Sequence, residues 1–514
     1  MAEWHDGYVT ELTYTQGYYR ELSPLAMRFA LQCAGFKAPP AQGFNYCELG
    51  FGQGVSLNVH AAAHPDSRFW GNDFNPAHAR HAGALAQAAG TNLNVLEASF
   101  AELLQRTDLP QFDYIGLHGI WSWVSDENRA HLVEFCRRYL KSGGVLYISY
   151  NCLPGWSQAA PLRHLMNEYA QRQTAVGDGM SRRLDAALDF TRQLAGLNLG
   201  YFAGTGVLQE KLEGMSRQSR NYLAHEYMNQ DWRLMYFSEV AECLKAAKLD
   251  FAASAAVNEQ LDGLRIPAAG MNLLNGISDP VMRQTVRDYL LNQQFRRDLF
   301  IRGGERMTSA EQKRVLDEWR FTLLRPLAQL LEEKPRSVVA PEVRKAILEK
   351  LAEEGECSLS DLSIHCAAHP LLLVRQVLMV MVGGGELALC QPAAVAAAAA
   401  AACLALNRVW CDRAGEGGES AYLASPRTAG AVQLGALQQL MLGVYESACA
   451  NEASALAARA WEKLAALGQR VVTGGKTCES PEDNMAALTR IAAEFLARDL
   501  PLMQRLGCCR TNVS

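Results

Sequence analysis

Short apolar runs alternate with segments of helical periodicity over residues 44–150. The apolar runs predict strands, and the segments between them predict helices with one apolar face. The predicted strands are residues 44–49, 68–72, 94–97, 112–117 and 144–150, and the predicted helices are residues 55–63, 76–89 and 127–140. This alternation is typical of a parallel sheet with helices on both faces, so the sequence predicts a doubly wound α/β fold.

The pattern changes near residue 161. Residues 161–236 contain long helical stretches rich in Arg, Gln and Met and no clear strand, which predicts a helical insertion. An amphipathic helix over residues 237–247 and strand-like segments over 251–257 and 295–301 follow. We therefore expect the sheet to resume after the insertion and to end near residue 305.

The last two fifths of the chain, residues 306–514, predict a mainly helical domain, with helical segments such as 308–331. Within it, residues 341–392 predict three helices and a short strand, which fits a winged-helix-like module and a generic helical domain equally well. The alanine-rich apolar run 393–406 is shorter than the roughly 20 residues that a membrane span needs. We expect a packed helix there.

Composition limits the possible partners. The 514-residue chain has 49 basic and 54 acidic residues and a formal net charge of −5, which favours neither non-specific nucleic-acid binding nor attachment to a membrane. The N-terminal residues lack the basic start and apolar core of a secretory signal, which predicts a cytoplasmic protein. The 14 cysteines are scattered, so we expect reduced thiols and predict no metal site.

The first predicted strand leads into a glycine-rich loop, Glu48-Leu49-Gly50-Phe51-Gly52-Gln53-Gly54. Glycines permit a tight turn and let backbone N–H groups approach a ligand closely, which indicates a nucleotide-like ligand. The dinucleotide fingerprint would need glycine at position 55, where this chain has Val55. An acidic residue two positions before the first glycine suits a cationic ligand better than a pyrophosphate.

Two further strand ends carry residues suited to a nucleoside. Asp73 ends the second strand, where a carboxylate can accept both hydroxyls of a ribose, and Phe74 and Asn75 follow it. After the third strand, Ser99 offers a hydrogen bond and Phe100 an apolar face to an adenine. Each motif alone is weak, but their order at successive strand ends indicates one ligand site.

In these motifs the chain resembles class I S-adenosylmethionine-dependent methyltransferases, which have a Rossmann-like sheet. Residues 48–54, 73–76 and 112–117 and the Gly143-Gly144 turn carry that resemblance. Three further segments resemble a bacterial subfamily that has a methyltransferase regulatory domain and includes lysine methyltransferases of bacterial surface proteins. They are His118-Gly119-Ile120-Trp121-Ser122-Trp123-Val124-Ser125, Tyr150-Asn151-Cys152-Leu153-Pro154-Gly155-Trp156 and Tyr222-Leu223-Ala224-His225-Glu226-Tyr227.

The resemblance implies S-adenosylmethionine as cofactor. It implies that the glycine loop surrounds the methionine part, that Asp73 holds the ribose, and that His118 lies beside the transferable methyl. Ala98 departs from the acidic residue that many members of the class place near the adenine, so the ribose contacts are better supported than the adenine contacts. The expected cofactor-binding residues are Glu48, Gly50, Phe51, Gly52, Gly54, Asp73, Phe74, Asn75, Ser99, Phe100 and His118.

The expected catalytic residues are His118, Trp121 and Tyr150, at or after the ends of the fourth and fifth strands. Methyl transfer from a sulfonium is an in-line displacement, so the enzyme mainly has to orient the acceptor. A lysine acceptor must also lose a proton from an ammonium with a solution pKa of about 10.4, and an apolar pocket favours the neutral amine. Trp123 and Trp156 are candidates for an aromatic wall of that pocket.

Several of these residues also have structural interpretations. His118 fits a structural histidine, a group that orients or deprotonates the acceptor, and a cofactor contact, and Trp123 fits a core residue equally well. We expect Tyr14, Tyr18 and Tyr19 to pack an N-terminal helix rather than to line the site.

Two polar groups farther along the chain favour surface interpretations. Tyr222, His225 and Glu226 are at helical spacing and are expected on the polar face of an inserted helix. The pair Arg296-Arg297 is expected to be a solvated charge cluster.

Three functions remain open on the sequence. The leading one is methylation of lysine side chains of a protein substrate, expected to be a bacterial surface protein. An O- or N-methyltransferase of a saccharide or other small molecule, and a non-catalytic cofactor-sensing regulator, are the alternatives. The predicted domains are 1–43, a helical segment that covers the site; 44–160, the cofactor-binding core; 161–236, the insertion; 237–305, the rest of the sheet and the regulatory region; and 306–514, the C-terminal domain.

Overall fold

A mixed seven-stranded sheet with helices on both faces occupies the N-terminal part of the chain. The computed structural model describes residues 16–175, 177–203, 206–333, 339–414, 421–448 and 451–510. Tyr14 and the rest of the first 15 positions of the predicted N-terminal segment therefore lie outside the described residues.

Residues 16–151 alternate helices and strands as the hydrophobic pattern predicts. Pro76 stands at the first turn of its helix, where a missing N–H costs nothing, and Asn75 caps that helix by accepting from the N–H of Ala77. The elements are α1 (Pro24–Cys33), β1 (Asn45–Leu49), α2 (Val55–Ala63), β2 (Arg68–Asp73), α3 (Pro76–Ala89), β3 (Leu93–Glu97), α4 (Phe100–Gln105), β4 (Phe112–Leu117), α5 (Asp126–Tyr139) and β5 (Leu140–Asn151).

The helical insertion and the return to the sheet are both confirmed. Four helices, α6 (Ala160–Arg172), α7 (Met180–Gly196), α8 (Gly206–Ser216) and α9 (Arg220–Tyr227), pack around their own apolar cluster. The sheet then resumes through α10 (Phe237–Lys245), β6 (Leu249–Ser254), α11 (Ala268–Asn275), α12 (Pro280–Leu291) and β7 (Phe295–Arg302).

The strand order is β3-β2-β1-β4-β5-β7-β6, which confirms the predicted doubly wound, Rossmann-like sheet. Strands β1 to β5 are parallel, whereas β7 runs antiparallel to both β5 and β6. The order reverses next to β1, because β2 lies on one side of it and β4 on the other. Ligands of open α/β sheets bind at such a switch point, beyond the carboxyl ends of the strands.

The pair Arg296-Arg297 is not the solvated cluster expected from the sequence. Arg296 donates to Asp288 at 2.6 Å and to Asp298 at 2.7 Å, and these three side chains are at most 3% exposed. Arg297 donates to Glu21 at 2.6 Å and to Glu259 at 2.9 Å. The expectation is wrong because β7 is an interior strand, so side chains on both of its faces are covered.

The first part of the C-terminal region contains a small sheet as well as helices. A strand, β8 (Arg320–Leu323), interrupts the predicted helical segment 308–331. It pairs antiparallel with β9 (Cys357–Ser358) and β10 (Leu387–Cys390), which lie far from it in sequence. The three predicted helices and the short strand of residues 341–392 are present, and the winged-helix assignment stays a prediction. The elements are α13 (Ser309–Asp317), β8 (Arg320–Leu323), α14 (Leu327–Glu332), α15 (Pro341–Glu354), β9 (Cys357–Ser358), α16 (Leu359–His365), α17 (Leu371–Gly384) and β10 (Leu387–Cys390).

The remainder is mainly helical, with two short hairpins. Helix α18 (Ala393–Ala414) is longer than the predicted apolar run 393–406. It is long and apolar enough to cross a membrane, but the core helices of soluble proteins pass the same test. Its Cys403, Leu406 and Trp410 are buried in one apolar cluster with Val59 of α2 and Leu85 of α3. The elements are α18 (Ala393–Ala414), β11 (Tyr422–Ser425), β12 (Gly430–Gln433), α19 (Ala436–Ala448), α20 (Ala453–Ala466), β13 (Val472–Thr473), β14 (Lys476–Thr477), α21 (Pro481–Glu494) and α22 (Leu500–Arg505).

Candidate active site

A cavity opens beyond the carboxyl ends of β1, β2 and β4, at the switch point of the sheet. Nine of the eleven predicted cofactor-binding residues line it: Glu48, Gly50, Phe51, Gly52, Asp73, Phe74, Ser99, Phe100 and His118. Its other lining residues are Tyr19, Asn72, His78, Ala98, Gly119, Ile120, Trp123, Val124, Ser125, Asn128 and Asp231. The structure therefore brings together strand ends that the sequence could only place in order.

The glycine loop forms one wall of this cavity and is tied to β2. The Gly50 N–H donates to the Asn72 carbonyl at 2.8 Å, and the Gly52 N–H donates to the Asp73 carboxylate at 2.8 Å. Both glycines have left-handed φ angles, 69° and 60°. A β-carbon at Gly50 would lie 2.5 Å from the Cδ1 of Ile120, so glycine is needed there for space as well as for backbone conformation.

Asp73 is held rigidly at the mouth of the cavity. Its Oδ2 accepts from Gly52, and its Oδ1 accepts from the Asn75 N–H at 2.9 Å. The Nδ1 of His78 lies 3.2 Å from the same Oδ1. A carboxylate has about four lone-pair positions, and these three contacts use one on Oδ2 and two on Oδ1, so Oδ2 can still accept from a ribose hydroxyl. The sequence analysis assigned His78 no role in this site. Its position in the first turn of α3, five residues after Asp73, is the signal that could have indicated a contact with that carboxylate.

Glu48 is a buried carboxyl group without a cationic partner among the described residues. Burial raises the pKa of Glu48 to about 8, against a lowering by its hydrogen bond from the Tyr46 hydroxyl at 3.4 Å. Asn72 beside it has a buried Oδ1 without a hydrogen-bond partner among the described residues. Such groups fit a ligand that carries an ammonium, because the cation would restore the ionised carboxylate.

Gly54 and Asn75 do not line the cavity, contrary to the prediction. Gly54 has φ 70°, and a β-carbon there would lie 2.6 Å from the Cβ of Ala82. The Asn75 side chain is used to cap α3. Both residues shape the neighbouring backbone: Gly54 lets α2 approach α3, and Asn75 fixes the start of α3 next to Asp73.

Gly54→Ala should destabilise the protein by about 1–3 kcal/mol more than Gly90→Ala. Both glycines have left-handed φ angles, but a β-carbon at Gly90 meets nothing within 4 Å, so Gly90→Ala measures the backbone cost of about 1 kcal/mol. The excess at Gly54 is the cost of overpacking against Ala82. Chemical denaturation of both variants measures the difference, and equal losses would contradict the close approach of α2 and α3.

His118 follows β4 and is fixed by contacts on two sides. Its Nδ1 lies 2.8 Å from the Tyr147 hydroxyl and 3.3 Å from the Ser149 hydroxyl. Its ring stacks on Tyr19, with ring centroids 3.7 Å apart. Burial, helped by the positive charge of Arg297, lowers the pKa of His118 to about 3. The imidazole is therefore neutral over the physiological pH range, and it is a weak base.

Trp121 and Tyr150, the other predicted catalytic residues, lie outside the cavity. Each side chain is 1% exposed. The Trp121 indole N–H donates to the sulfur of Met235 at 3.3 Å, and the Tyr150 hydroxyl donates to Asp298 at 2.8 Å. The reason is that both side chains are buried in the apolar cluster that β4 and β5 form with α5 and α10, so neither is part of the cavity lining.

Part of the cavity wall comes from residues that sequence reasoning assigned to packing. Tyr19 lines the cavity against His118, whereas Tyr18 packs between His60 and Tyr422 as expected. Trp123 also lines the cavity. Asp231, which follows the last helix of the insertion, adds a carboxylate there, and no motif in the sequence indicated it.

Comparison with known proteins identifies the family. Residues 47–144 match the family model of a methyltransferase domain, and residues 219–302 match that of a predicted methyltransferase regulatory domain. An uncharacterized protein of Synechocystis is 37% identical over 512 residues, which covers 98% of this chain and 99% of that protein. The chain belongs to the class I S-adenosylmethionine-dependent methyltransferases with a regulatory domain.

This methyltransferase is also similar to solved structures over nearly its whole length. PKMT2 from Rickettsia typhi superposes with a TM-score of 0.71 at 17% identity, covering 96% of this chain and 99% of PKMT2. Its complex with AdoHcy gives the same TM-score at 18% identity. An uncharacterized protein of Rickettsia prowazekii is 26% identical over 292 residues, 56% of this chain and 51% of that protein.

S-adenosylmethionine is the cofactor of this methyltransferase, which is an enzyme and not a non-catalytic regulator. The cavity residues fit the cofactor: Glu48 would hold the ammonium of the methionine part, Asp73 a ribose hydroxyl, and Ser99 and Phe100 the adenine. The cofactor would supply an electrophilic methyl group, and His118 lines the same cavity.

Binding of S-adenosylhomocysteine, which carries the same ammonium, should strengthen from pH 6 to pH 8. Free Glu48, with a pKa of about 8, is mostly protonated at pH 6, and the bound ammonium favours the ionised form. Binding therefore releases a proton below pH 8, and affinity rises by up to about tenfold per pH unit until it levels off. Calorimetry at several pH values tests this, and an equal slope in Glu48→Gln would contradict the assignment.

Proposed function

We propose that the enzyme transfers methyl groups from S-adenosylmethionine to lysine side chains of a protein. The observation that carries this proposal is the acceptor end of the cofactor cavity, which combines the rings of Tyr19, His118 and Trp123 with the carboxylate of Asp231. Aromatic faces and a carboxylate attract an ammonium group, whereas a neutral sugar would need a set of hydrogen-bonding partners.

The state of His118 decides how the acceptor loses its proton. A lysine ammonium has a solution pKa of about 10.4, and the pKa of His118 is about 3, so transfer of the proton to His118 is unfavourable by about 10 kcal/mol. The amine therefore gives its proton to water as it enters the apolar cavity, where burial favours the neutral form. His118, with its Nδ1 anchored near Tyr147, acts as a positioning residue for the acceptor.

A protein acceptor agrees with the architecture around the cavity. The inserted helices and the C-terminal region add surface beyond the catalytic core, which a macromolecular substrate could contact. PKMT2, whose name denotes a protein lysine methyltransferase, is similar in fold over 96% of this chain. By the sequence resemblance to a subfamily that includes lysine methyltransferases of bacterial surface proteins, the substrate is proposed to be a bacterial surface protein.

Intact-protein mass spectrometry tests the acceptor class. We expect candidate surface proteins to gain the mass of one or more methyl groups after incubation with the enzyme and S-adenosylmethionine, and peptide mapping to place them on lysine. The Asp73→Ala enzyme serves as the control without cofactor binding. Unmodified protein together with a methylated saccharide or other small product would overturn the lysine proposal and favour a small-molecule methyltransferase.

A further inference from the structure

Helix α8 places a lysine ammonium on the face of a buried tryptophan. The Nζ of Lys211 lies 3.5 Å from the centroid of the Trp156 ring, the geometry of a cation–π contact. Lys211 is half-buried, and its ammonium makes no hydrogen bond or ion pair among the described residues. A charge that is partly removed from water and makes no hydrogen bond or close ion pair among the described residues is replaceable by another cation of the same kind.

The Trp156 ring is joined to the cofactor cavity by a continuous row of aromatic rings. Trp232 packs edge-on against Trp156, with centroids 5.3 Å apart, and lies 6.3 Å from Trp123. Trp123 lines the cofactor cavity. The Trp232 indole N–H is buried without a hydrogen-bond partner among the described residues. Lys211 therefore lies at the far end of a row of three packed tryptophan rings, the other end of which lines the cofactor cavity.

Glu226 supplies a negative charge to the same place. Its carboxylate makes no hydrogen bond or ion pair among the described residues. Burial raises the pKa of Glu226 to about 7, and the positive charges of Lys211 and Arg163 oppose that rise. Glu226 therefore lies within electrostatic reach of the Lys211 ammonium. Glu226 is half-buried on α9, next to the residues Leu223, Ala224 and Tyr227 that pack in the apolar cluster of the insertion.

The two cations near Glu226 are held differently. Arg163 donates to the backbone carbonyls of Glu226 at 3.2 Å and Asn229 at 2.7 Å, and its guanidinium lies 4.5 Å from the Trp232 ring centroid. These bonds fix Arg163 as part of the structure. Lys211 has no such bonds, and burial lowers its pKa to about 8, so it is the cation that can leave.

We propose that Trp156, Trp232 and Glu226 form a subsite for an alkylammonium group of the protein substrate, and that Lys211 fills this subsite until the substrate displaces it. The inference rests on the proposed lysine acceptor and adds the place where a lysine, or its methylated product, is bound next to the reaction site. A ring face and a carboxylate accept methylated ammonium ions as well as unmethylated ones, so the subsite can hold a lysine before and after transfer.

Titration of the full-length enzyme with Nα-acetyl-trimethyllysine amide tests the subsite without requiring catalysis. We expect Lys211→Met to bind this probe at least about tenfold more tightly than the wild type, because the competing ammonium is gone. Lys245→Met, at an exposed lysine on α10, is the matched control and should bind as the wild type does. Adding Glu226→Gln to Lys211→Met should cancel most of the gain.

Each outcome of the titration decides the inference. The inference would be overturned if Lys211→Met bound the probe no more tightly than the wild type. It would also be overturned if the full gain in probe affinity persisted after Glu226→Gln and after Trp232→Phe were each added to Lys211→Met. Glu226→Gln preserves the size of the side chain and Trp232→Phe preserves an aromatic ring. Melting temperatures show whether each variant is folded. A tighter probe in Lys211→Met with no methylated protein would leave the subsite standing and refute the proposed function, whereas methylated lysine with an unchanged probe affinity would do the reverse.

Discussion

Asp73→Ala should weaken binding of S-adenosylmethionine by about 10- to 100-fold. A carboxylate that accepts a ribose hydroxyl makes a charge-assisted hydrogen bond worth about 1.5–3 kcal/mol. Every 1.4 kcal/mol is a factor of ten in the dissociation constant. Calorimetry of the purified variant measures the loss directly.

The control for Asp73 is its neighbour Asn75. Asn75→Ala removes the cap of α3 and should cost about 1 kcal/mol of stability, but it leaves the cavity lining intact. We expect its cofactor affinity to stay within about threefold of the wild type. Asp73 also accepts from the Gly52 and Asn75 N–H groups, so the unfolding of the apo variant must be measured alongside. Equal losses of affinity in both variants would contradict the ribose role.

Arg296→Leu should destabilise the enzyme by about 3–5 kcal/mol. The substitution leaves Asp288 and Asp298 buried without their cation, and an uncompensated buried charge is among the most costly defects in a folded protein. The exposed pair of Arg137 and Glu134 gives the matched control, since Arg137→Leu should change stability by less than about 1 kcal/mol. Urea denaturation of both variants compares them.

The cost of Arg296→Leu should shrink at lower pH. Burial raises the pKa of Asp288 to about 6 even with Arg296 present, and removal of the cation raises it further. A carboxyl group whose folded pKa exceeds its unfolded value destabilises the fold above that unfolded value, and protonation relieves the penalty. The difference from wild type should therefore be larger at pH 8 than at pH 5. A pH-independent difference would mean that lost packing, not lost charge, dominates.

The cofactor half of the site was predictable because its signals are local. Residues 48–54 and Asp73 each follow directly from a strand, and a parallel sheet brings successive strand ends to one edge. The short loops between strand and helix then fix each side chain within a few residues of its strand. Nothing distant in sequence is needed to place Glu48 or Asp73 in the lining of the cavity.

The acceptor half was not predictable because it depends on contacts between distant segments. Tyr19 meets His118 about a hundred positions later, and Asp231 reaches the cavity only through the packing of the insertion. Tyr150 fits the alternating pattern of a strand. Which face of β5 is directed toward the cavity, however, depends on the pairing of β5 with β7. Sequence periodicity gives the alternation of a strand but not the identity of its neighbours.

Contacts between distant segments also explain why the environment of Arg296 and Arg297 was predicted incorrectly. Arg296 and Arg297 look solvated in sequence because arginines are mostly exposed. Their partners Asp288, Glu21 and Glu259 come from three separate segments. Glu21 lies two residues from Tyr19, so the ion pairs of Arg297 also help to hold the segment that covers His118.

A structure of the enzyme with bound S-adenosylhomocysteine tests the central claim most directly. We expect a ribose hydroxyl within hydrogen-bond distance of the Asp73 carboxylate, the ammonium beside Glu48, and the sulfur directed toward His118 and Tyr19. Density for the ligand in another cavity, or with its adenine beside Glu48 and its amino-acid part beside Asp73, would contradict the assignment of this site.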